Sequence, residues 1–328
     1  MVTYPLTEVD LPTQWTSGSL REPGRQVTSR LSRLKALVML SGVIRAKSWL
    51  SDIGRSVLDL PIDGTRTVLS QWLEQAVQLT DAPGVGRVVM EVLVDRTSPM
   101  PESQRLRPAL RDSAVDLHVE RDPADFRGTG GVMRDLAQRY DDDDYLLIAT
   151  GAQILVRPLV EGVTVLAGRD ADVVIGRHED GTPAGLVWVR CGCLRSIPEV
   201  GFIDLKEQAL PLIARKHRVD VATLPPIGTP HRTAAEYLRA VRQFHSRRHD
   251  GAGVPNPFAE NWCPSFSVVE EGATVHPSAE IHDSVVLRGA RVESNAIVVR
   301  SLVGPGQVVR RGQRLVDRFV NGTRQGRA

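Results

Sequence analysis

Residues 140–155 read YDDDDYLLIATGAQIL. The run YLLIA is almost wholly apolar, as a parallel strand covered on both faces should be. In open α/β sheets, ligands bind outside the carboxyl ends of the strands. Here Asp141, Asp142, Asp143 and Asp144 precede the strand, and the turn after it, TGAQ, carries no carboxylate. At about 3.3 Å per residue, Asp144 stands roughly 25 Å from Ala152 along an extended run. The acids therefore cap and solvate the loop before the strand, and its functional end is empty of charge.

The text on either side extends this strand into an α/β domain. LKALVML, starting at Leu34, reads as a strand and SGVIRAKSW as the loop after it. In residues 67–79, TVLSQWLEQAVQL, the residues Val68, Leu69, Trp72, Leu73 and Val77 share a face at helical spacing. GRVVMEVLVD is a second strand, and GGVMRDLAQRY is a short helix. ADVVIGRHEDGTPAGLVWVR is a pair of strands around a DG turn. DLKEQALPLIARKH, with a proline inside, and RTAAEYLRAVRQFH are further helices. Strands alternating with helices imply a mostly parallel sheet. Residues 1–33 are polar and proline-containing, and are expected to be a loosely attached N-terminal extension.

A second pattern begins after residues 251–267, a linker with three prolines and two glycines. Apolar residues recur six apart at Val269, Val275, Ile281 and Leu287, then at Val286, Val292 and Val298, then at Val309 and Leu315. Ala273 and Ala279 supply small residues between them. A six-residue period of β-branched residues is the signature of a parallel β-helix over residues 268–320. The length suffices for about three coils, which calls for a covering surface. The expected divisions are thus 1–33, a domain at 34–250, the linker, the β-helix and a tail at 321–328.

Composition sets outer limits. A chain of 328 residues with 41% apolar and 24% charged residues is not disordered in bulk. The net charge of +2 implies no strong nucleic-acid or membrane footprint. No apolar run approaches the roughly 20 residues of a membrane span. The N-terminus lacks the basic and apolar regions of a secretory signal, so a cytoplasmic location is expected. Three cysteines, Cys191, Cys193 and Cys263, give no disulfide framework. CGC has the spacing of neither a zinc knuckle nor a redox pair, and reads as packing residues on a strand.

An α/β domain with a hexapeptide-repeat tail resembles the sugar-1-phosphate nucleotidyltransferases, in particular the mannose-1-phosphate guanylyltransferase and glucose-1-phosphate adenylyltransferase branch. The resemblance covers residues 34–318. It implies a Rossmann-like nucleotidyltransferase domain with a mixed, mostly parallel sheet, followed by a short left-handed parallel β-helix. In LVMLSGVIRAKSWLSDIGRSVLDLPIDG, Gly42 and Arg45 match the family's phosphate loop, and Pro61, Ile62 and Gly64 match the element after it. The loop is shortened and has one glycine. Arg55 is the nearest cation to the family's lysine, so Arg45 and Arg55 are the implied phosphate contacts. FRGTGGVMRDL matches the loop that holds the nucleobase and ribose, through Gly128, Thr129, Gly130 and Gly131. Backbone N–H groups at such a helix start can approach a ligand closely. LPPIGTPHRTAAEYL matches a later segment through Ile227, Gly228, Thr229 and Pro230, then Glu236, Tyr237 and Leu238.

Two departures bear on chemistry. The family's strand after the nucleotide loop ends in an aspartate that holds the catalytic magnesium; here that position is Ala152. The second metal aspartate precedes the Ile-Gly-Thr-Pro segment; here it is Pro226. Magnesium is held by one or two protein carboxylates plus phosphates, so these replacements remove the expected ligands. In GFIDLKEQALPLI, Lys206 and Glu207 match a segment that contacts the sugar phosphate, with Gly228 and Thr229; capping by Asp204 is the bland alternative. Asp170 and Asp172 could substitute as ligands, but read better as turn residues. His276 and His282, six apart, fit an acyltransferase base less well than surface histidines.

The sequence thus points to a degenerate nucleotidyltransferase-like protein that binds nucleotide or sugar nucleotide, or supports an active paralogue. An active sugar-1-phosphate nucleotidyltransferase, with Mg²⁺ as its cofactor, and a β-helix acyltransferase are the alternatives. A homo-oligomer formed through the β-helix is expected, with neither nucleic acid nor membrane as partner.

Overall fold

The computed structural model describes residues 23–41, 50, 53–96, 98–122, 127–250 and 265–321. In the first unit the strands are β1 (Leu34–Leu40), β2 (Val88–Val94), β3 (Val115–Arg121), β4 (Tyr145–Thr150), β5 (Gln153–Leu155), β6 (Val173–Arg177), β7 (Pro183–Arg190), β8 (Val219–Thr223) and β9 (Gly228–Pro230). The helices are α1 (Pro23–Leu31), α2 (Val68–Thr80), α3 (Arg107–Leu110), α4 (Gly128–Ala137), α5 (Leu159–Ala167), α6 (Cys191–Leu194), α7 (Leu210–Ala214) and α8 (Ala234–Asp250). None is long and apolar enough to cross a membrane.

Seven strands form one sheet in the order β3-β2-β1-β4-β7-β6-β8. All neighbours are parallel except β7, which runs against both β4 and β6. The central strands are apolar on both faces because both are covered. Leu37, Met39, Leu147 and Ala149 point to the layer of α2 and α5. Ala36, Val38, Leu146 and Ile148 point to the layer of α4 and the 205–213 segment. The end of the N-terminal extension is not a loose tail. Arg30 in α1 pairs with Asp170 at 2.9 Å, and Leu31 is buried in the main core.

α2 starts with a capping box in which Thr67 and Ser70 satisfy each other's backbone N–H. Its buried Gln71 exchanges two hydrogen bonds with the Leu155 backbone, at 2.8 and 2.9 Å. Trp72 Nε1 donates to Gln153 O at 3.1 Å. One helix thus fixes β5, the strand that follows the turn at Ala152. Before Pro211 the chain widens into a π turn over Leu205–Ala209. A wider turn keeps the proline ring clear of the preceding carbonyls.

The C-terminal unit is built from β10 (Ser267–Val269), β11 (Thr274–Val275), β12 (Glu280–His282), β13 (Ser284–Val286), β14 (Arg291–Val292), β15 (Ile297–Val299), β16 (Leu302–Val303), β17 (Val308–Val309), β18 (Arg314–Val316) and β19 (Phe319–Val320). They stack in three all-parallel sheets, β10-β13-β16-β19, β11-β14-β17 and β12-β15-β18. The six-residue period needs correction. The chain returns to the same column after 17 residues, as Ser284 under Ser301 shows. Two steps of six are followed by one of five. The separate phases in the sequence are therefore successive coils, not different faces. The short corner is turned by Asp283, Arg300 and Asp317, at φ of 49°, 45° and 52°. Beside it Ser284 and Ser301 are buried, and each hydroxyl accepts the backbone N–H of the coil above at 3.0 Å.

The first strand of each coil, in the column of β10, β13 and β16, is apolar on both sides. Val286 and Val303 fill the coil interior. Val285 and Leu302 point outward, with Val268 and Phe266, into the main core of the first unit. The apolar face expected to receive a second copy is covered by the protein's own α/β unit. Replacing Leu302 with alanine is expected to cost about 2–5 kcal/mol. Because the site belongs to the shared core, urea unfolding followed by circular dichroism should show one transition at a lower midpoint.

Candidate functional site

The carboxyl ends of β1, β2 and β4 meet where the sequence placed the chemistry. β1 ends at Ser41, whose N–H and hydroxyl both bind Leu93 O, at 3.0 and 2.9 Å. Gly42 and Arg45 lie outside the described residues. β4 runs into Gly151, whose N–H donates to Leu40 O at 2.9 Å. Ala152 follows, 2% exposed, and its carbonyl accepts the His231 N–H at 3.1 Å. The position to which the sequence resemblance assigns a metal carboxylate is a packed methyl group.

β5 and β9 then pair antiparallel, Gln153 with Pro230 and Leu155 with Gly228. Beyond them Val156 and Arg157 donate to Ile227 O. Ala152 thus faces His231, and exposed Pro226 lies past the other end of the ladder. At about 3.3 Å per residue the two positions stand roughly 15 Å apart along it. The expectation that they flank one metal is not met by this register.

The GTGG segment does open a helix, α4, but its missing side chains are used internally. Gly128 has φ +66°, and a Cβ there would stand 2.5 Å from Ile203 O. Gly130 donates to Ile203 O at 2.8 Å, and a Cβ on it would meet Ala209 and Ile203 at 3.0 Å. At Gly131 a Cβ would press on Arg127 at 3.2 Å. The hydroxyl of Thr129 accepts from Leu205 N at 3.0 Å. Gly128 and Gly130 thus admit the protein's own 203–209 segment, and Gly131 makes room for Arg127.

That segment brings Lys206 and Glu207 beside α4. Asp204 accepts from their backbone N–H groups at 2.8 and 2.9 Å, so it is the cap. Both side chains are exposed. Gly228 and Thr229 lie in the β5–β9 ladder instead. The Thr229 hydroxyl bonds Gln243 of α8, and a Cβ on Gly228 would meet Gln153 at 2.9 Å. The proposed sugar-phosphate set is therefore split between two layers.

Arg55 is also committed elsewhere. Its guanidinium binds both oxygens of Glu270, at 2.6 and 2.8 Å, and Asp59 O at 3.0 Å. Pro61 and Ile62 are pinned by α8: Tyr237 Oη donates to Pro61 O, and His245 Nε2 contacts Ile62 O at 2.9 Å. These residues form the joint between the two units. Burial pushes the Glu270 carboxyl up, but Arg55 and the Arg288 N–H more than offset this and hold it below the ordinary range. Burial pushes Asp59 up to about 6, and the Glu102 N–H and the Arg55 charge offset this only in part.

Three features were not legible in the sequence. His231 is fully buried, with no hydrogen-bond partner at either ring nitrogen among the described residues. Burial lowers it to about 4, so it is neutral at physiological pH. Arg121 staples the β2 loop by donating to Arg96 O and Ser98 O at 2.8 and 3.1 Å. A cavity of about 570 Å³ opens between α8 and the coil corners, lined by Arg239, Arg242, Phe266, Arg300 and Arg318 among others. It depends on packing between distant segments, and no local motif announces it. The remaining candidates lie outward. His276 is bonded to Ser278 at 2.9 Å, and exposed His282 lies 3.7 Å from Glu280. Asp141–Asp144 sit at the opposite edge, where Asp142 pairs with Arg195 and Asp143 with Arg33 and Arg190.

Two measurements check these assignments. Gly130→Val should lower the urea midpoint, because the new atoms meet Ile203 and Ala209; an unchanged midpoint would mean the loop is open. Asp59 carries a raised folded-state pKa, so its contribution is fully present below about pH 4 and is lost as pH rises through about 6. A shift of roughly two units is worth at most about 3 kcal/mol. Asp59→Asn should therefore gain stability over the parent at pH 7.5, and the gain should vanish near pH 4.

No family model matches the sequence, and no curated protein matches it. Among solved structures, the Mycobacterium tuberculosis rv0371c homologue from Mycobacterium sp. strain JC1 aligns at 17% identity and a TM-score of 0.43, over 64% of this chain and 96% of that one. HddC from Yersinia pseudotuberculosis aligns at 14% identity and a TM-score of 0.45, over 64% of this chain and 99% of that one.

Proposed function

We propose that this chain is a sugar-phosphate nucleotidyltransferase-like protein, with a short left-handed β-helix, that has lost catalysis and supports an active partner. The observation that carries the reading is Ala152, buried and backbone-paired to His231 at the strand end where the resemblance puts a metal-binding aspartate. Joining a nucleoside triphosphate to a sugar phosphate brings two anions together, and such transfer depends on positioning and charge neutralisation. Among the described residues, no group of three or more His, Cys, Asp or Glu ligands lies at this strand end. A supporting role fits better than nucleotide binding, because the glycine loop is filled by Ile203.

The experiment is incubation with a panel of nucleoside triphosphates, sugar-1-phosphates and Mg²⁺, with pyrophosphate as the readout. No release above background is expected. Turnover on the order of 1 s⁻¹ or faster, the ordinary enzyme range, would overturn the reading in favour of an active enzyme with displaced ligands. Titration calorimetry with the same nucleotides should show no binding; a measurable affinity would restore the nucleotide-binding role.

A further inference from the structure

The edge of the sheet opposite the strand ends just described is the chemically richer one. β7 is antiparallel to its neighbours, so its C-terminal end arrives where β6 and β8 begin. This brings three donors of different chemistry together: Asp172 just before β6, Cys193 on α6, and His217 just before β8. The sequence treated Asp172 as a turn residue and the CGC cysteines as strand packing. In fact α6 is a helical turn that aims Cys193 at the other two. One oxygen of Asp172, the Cys193 sulfur and one ring nitrogen of His217 all lie within 4.8 Å of one another.

The spacing is informative. His217 Nδ1 stands 3.9 Å from Asp172 Oδ2. That is too long for a hydrogen bond. Ligands bound about 2.0–2.3 Å from a tetrahedral zinc ion stand roughly 3.4–3.7 Å from each other. A shift of under about an ångström would close the present set around an ion of that size. We propose that Asp172, Cys193 and His217 form a three-ligand site for zinc or a similar divalent transition ion. One sulfur, one imidazole and one carboxylate suit zinc better than magnesium or calcium, which prefer oxygen alone.

The surroundings already orient the donors. Arg190 holds the other carboxylate oxygen, Oδ1, at 3.0 Å, and the Arg218 N–H reaches Oδ2 at 3.0 Å. This leaves Oδ2 a free lone pair and fixes its aim, as outer partners do in metal sites. Burial pushes the Cys193 thiol up to about 11, and the Arg190 cation beside the sulfur works the other way, toward the thiolate that a bound metal requires. On binding, the thiol proton leaves to solvent as the metal–sulfur bond forms; no electron transfer is involved. Cys193 is fully buried, whereas the Asp172 and His217 side chains are 25% and 22% exposed. The fourth position therefore faces solvent and would take water. The site ties three strand ends together, so occupation should stabilise the fold.

Cobalt(II) is the probe. The full chain, reduced and stripped with a chelator, should bind one equivalent and develop a thiolate-to-cobalt charge-transfer band, which zinc should abolish by displacement. Cys193→Ser should lose the band; Cys191→Ser and Cys263→Ser should keep it. If Cys193→Ser does not fold, the solvent-facing His217→Gln variant decides the matter. It should bind cobalt on the order of tenfold more weakly or worse, and zinc should raise the thermal midpoint of the parent but not of this variant. Absence of a charge-transfer band in folded parent protein would overturn the proposal. So would a band that follows Cys191 or Cys263, or a zinc stabilisation unaltered in His217→Gln.

Discussion

The structure depends on one apolar seam. Phe266, Val268, Val285 and Leu302 leave the coil stack and enter the same core as Met39, Trp72 and Tyr237. Burial of this kind contributes about 25 cal/mol per Å² and has no directional preference. Alone it would let the stack slide on the α/β unit. The register comes from Glu270, whose two oxygens take the Arg55 guanidinium and whose Oε2 also accepts the Arg288 N–H at 2.8 Å. Such a pair adds little net stability but penalises every arrangement that separates it. Arg55, which the resemblance made a phosphate contact, is here the pin of an internal joint.

Much of the architecture was readable because it rests on local periodicity. The apolar runs of β1, β2 and β4 and the helical spacing of Val68, Trp72 and Leu73 are each set by their own window. So was the C-terminal repeat, although its length was not. A five-residue corner shifts the phase of every later hexad by one. That shift reads as a new face until the positive-φ residues Asp283, Arg300 and Asp317 are seen to fall on one corner. The double-sided apolar first strand of the coil, Val285 with Val286, was also visible in the text as an unbroken run. Its meaning required knowing what lay outside the stack.

The candidate site was less legible, for a physical reason. A motif records which residues are small or charged, not which atoms use the space. GTGG has the composition of a ligand loop, and the absence of Cβ atoms is needed in either case. Only the position of the Ile203 carbonyl shows that the space is filled from within. The Ala152 and Pro226 pair failed similarly. Sequence spacing placed both near strand ends, but the antiparallel pairing of β5 with β9 sends them to opposite ends of one ladder. Register is a long-range property, fixed here by Gln71 and Trp72 gripping β5 from another layer.

Charge is distributed unevenly between the two ends of the strands. Where β4 ends, buried Ala152 is paired through its backbone to His231, a buried histidine that is neutral at physiological pH. Where β4 begins, Asp142, Asp143 and Asp172 meet Arg33, Arg190 and Arg195, and solvent reaches them all. Exposed ion pairs of this sort contribute little stability each. Their consequence is local: they fix the directions of side chains around Cys193 and His217. That edge exists because β7 runs antiparallel, which carries a strand's C-terminal turn to the side where its parallel neighbours keep only their starts. In an otherwise parallel sheet, the single reversed strand is what lets donors from three connections converge on that side.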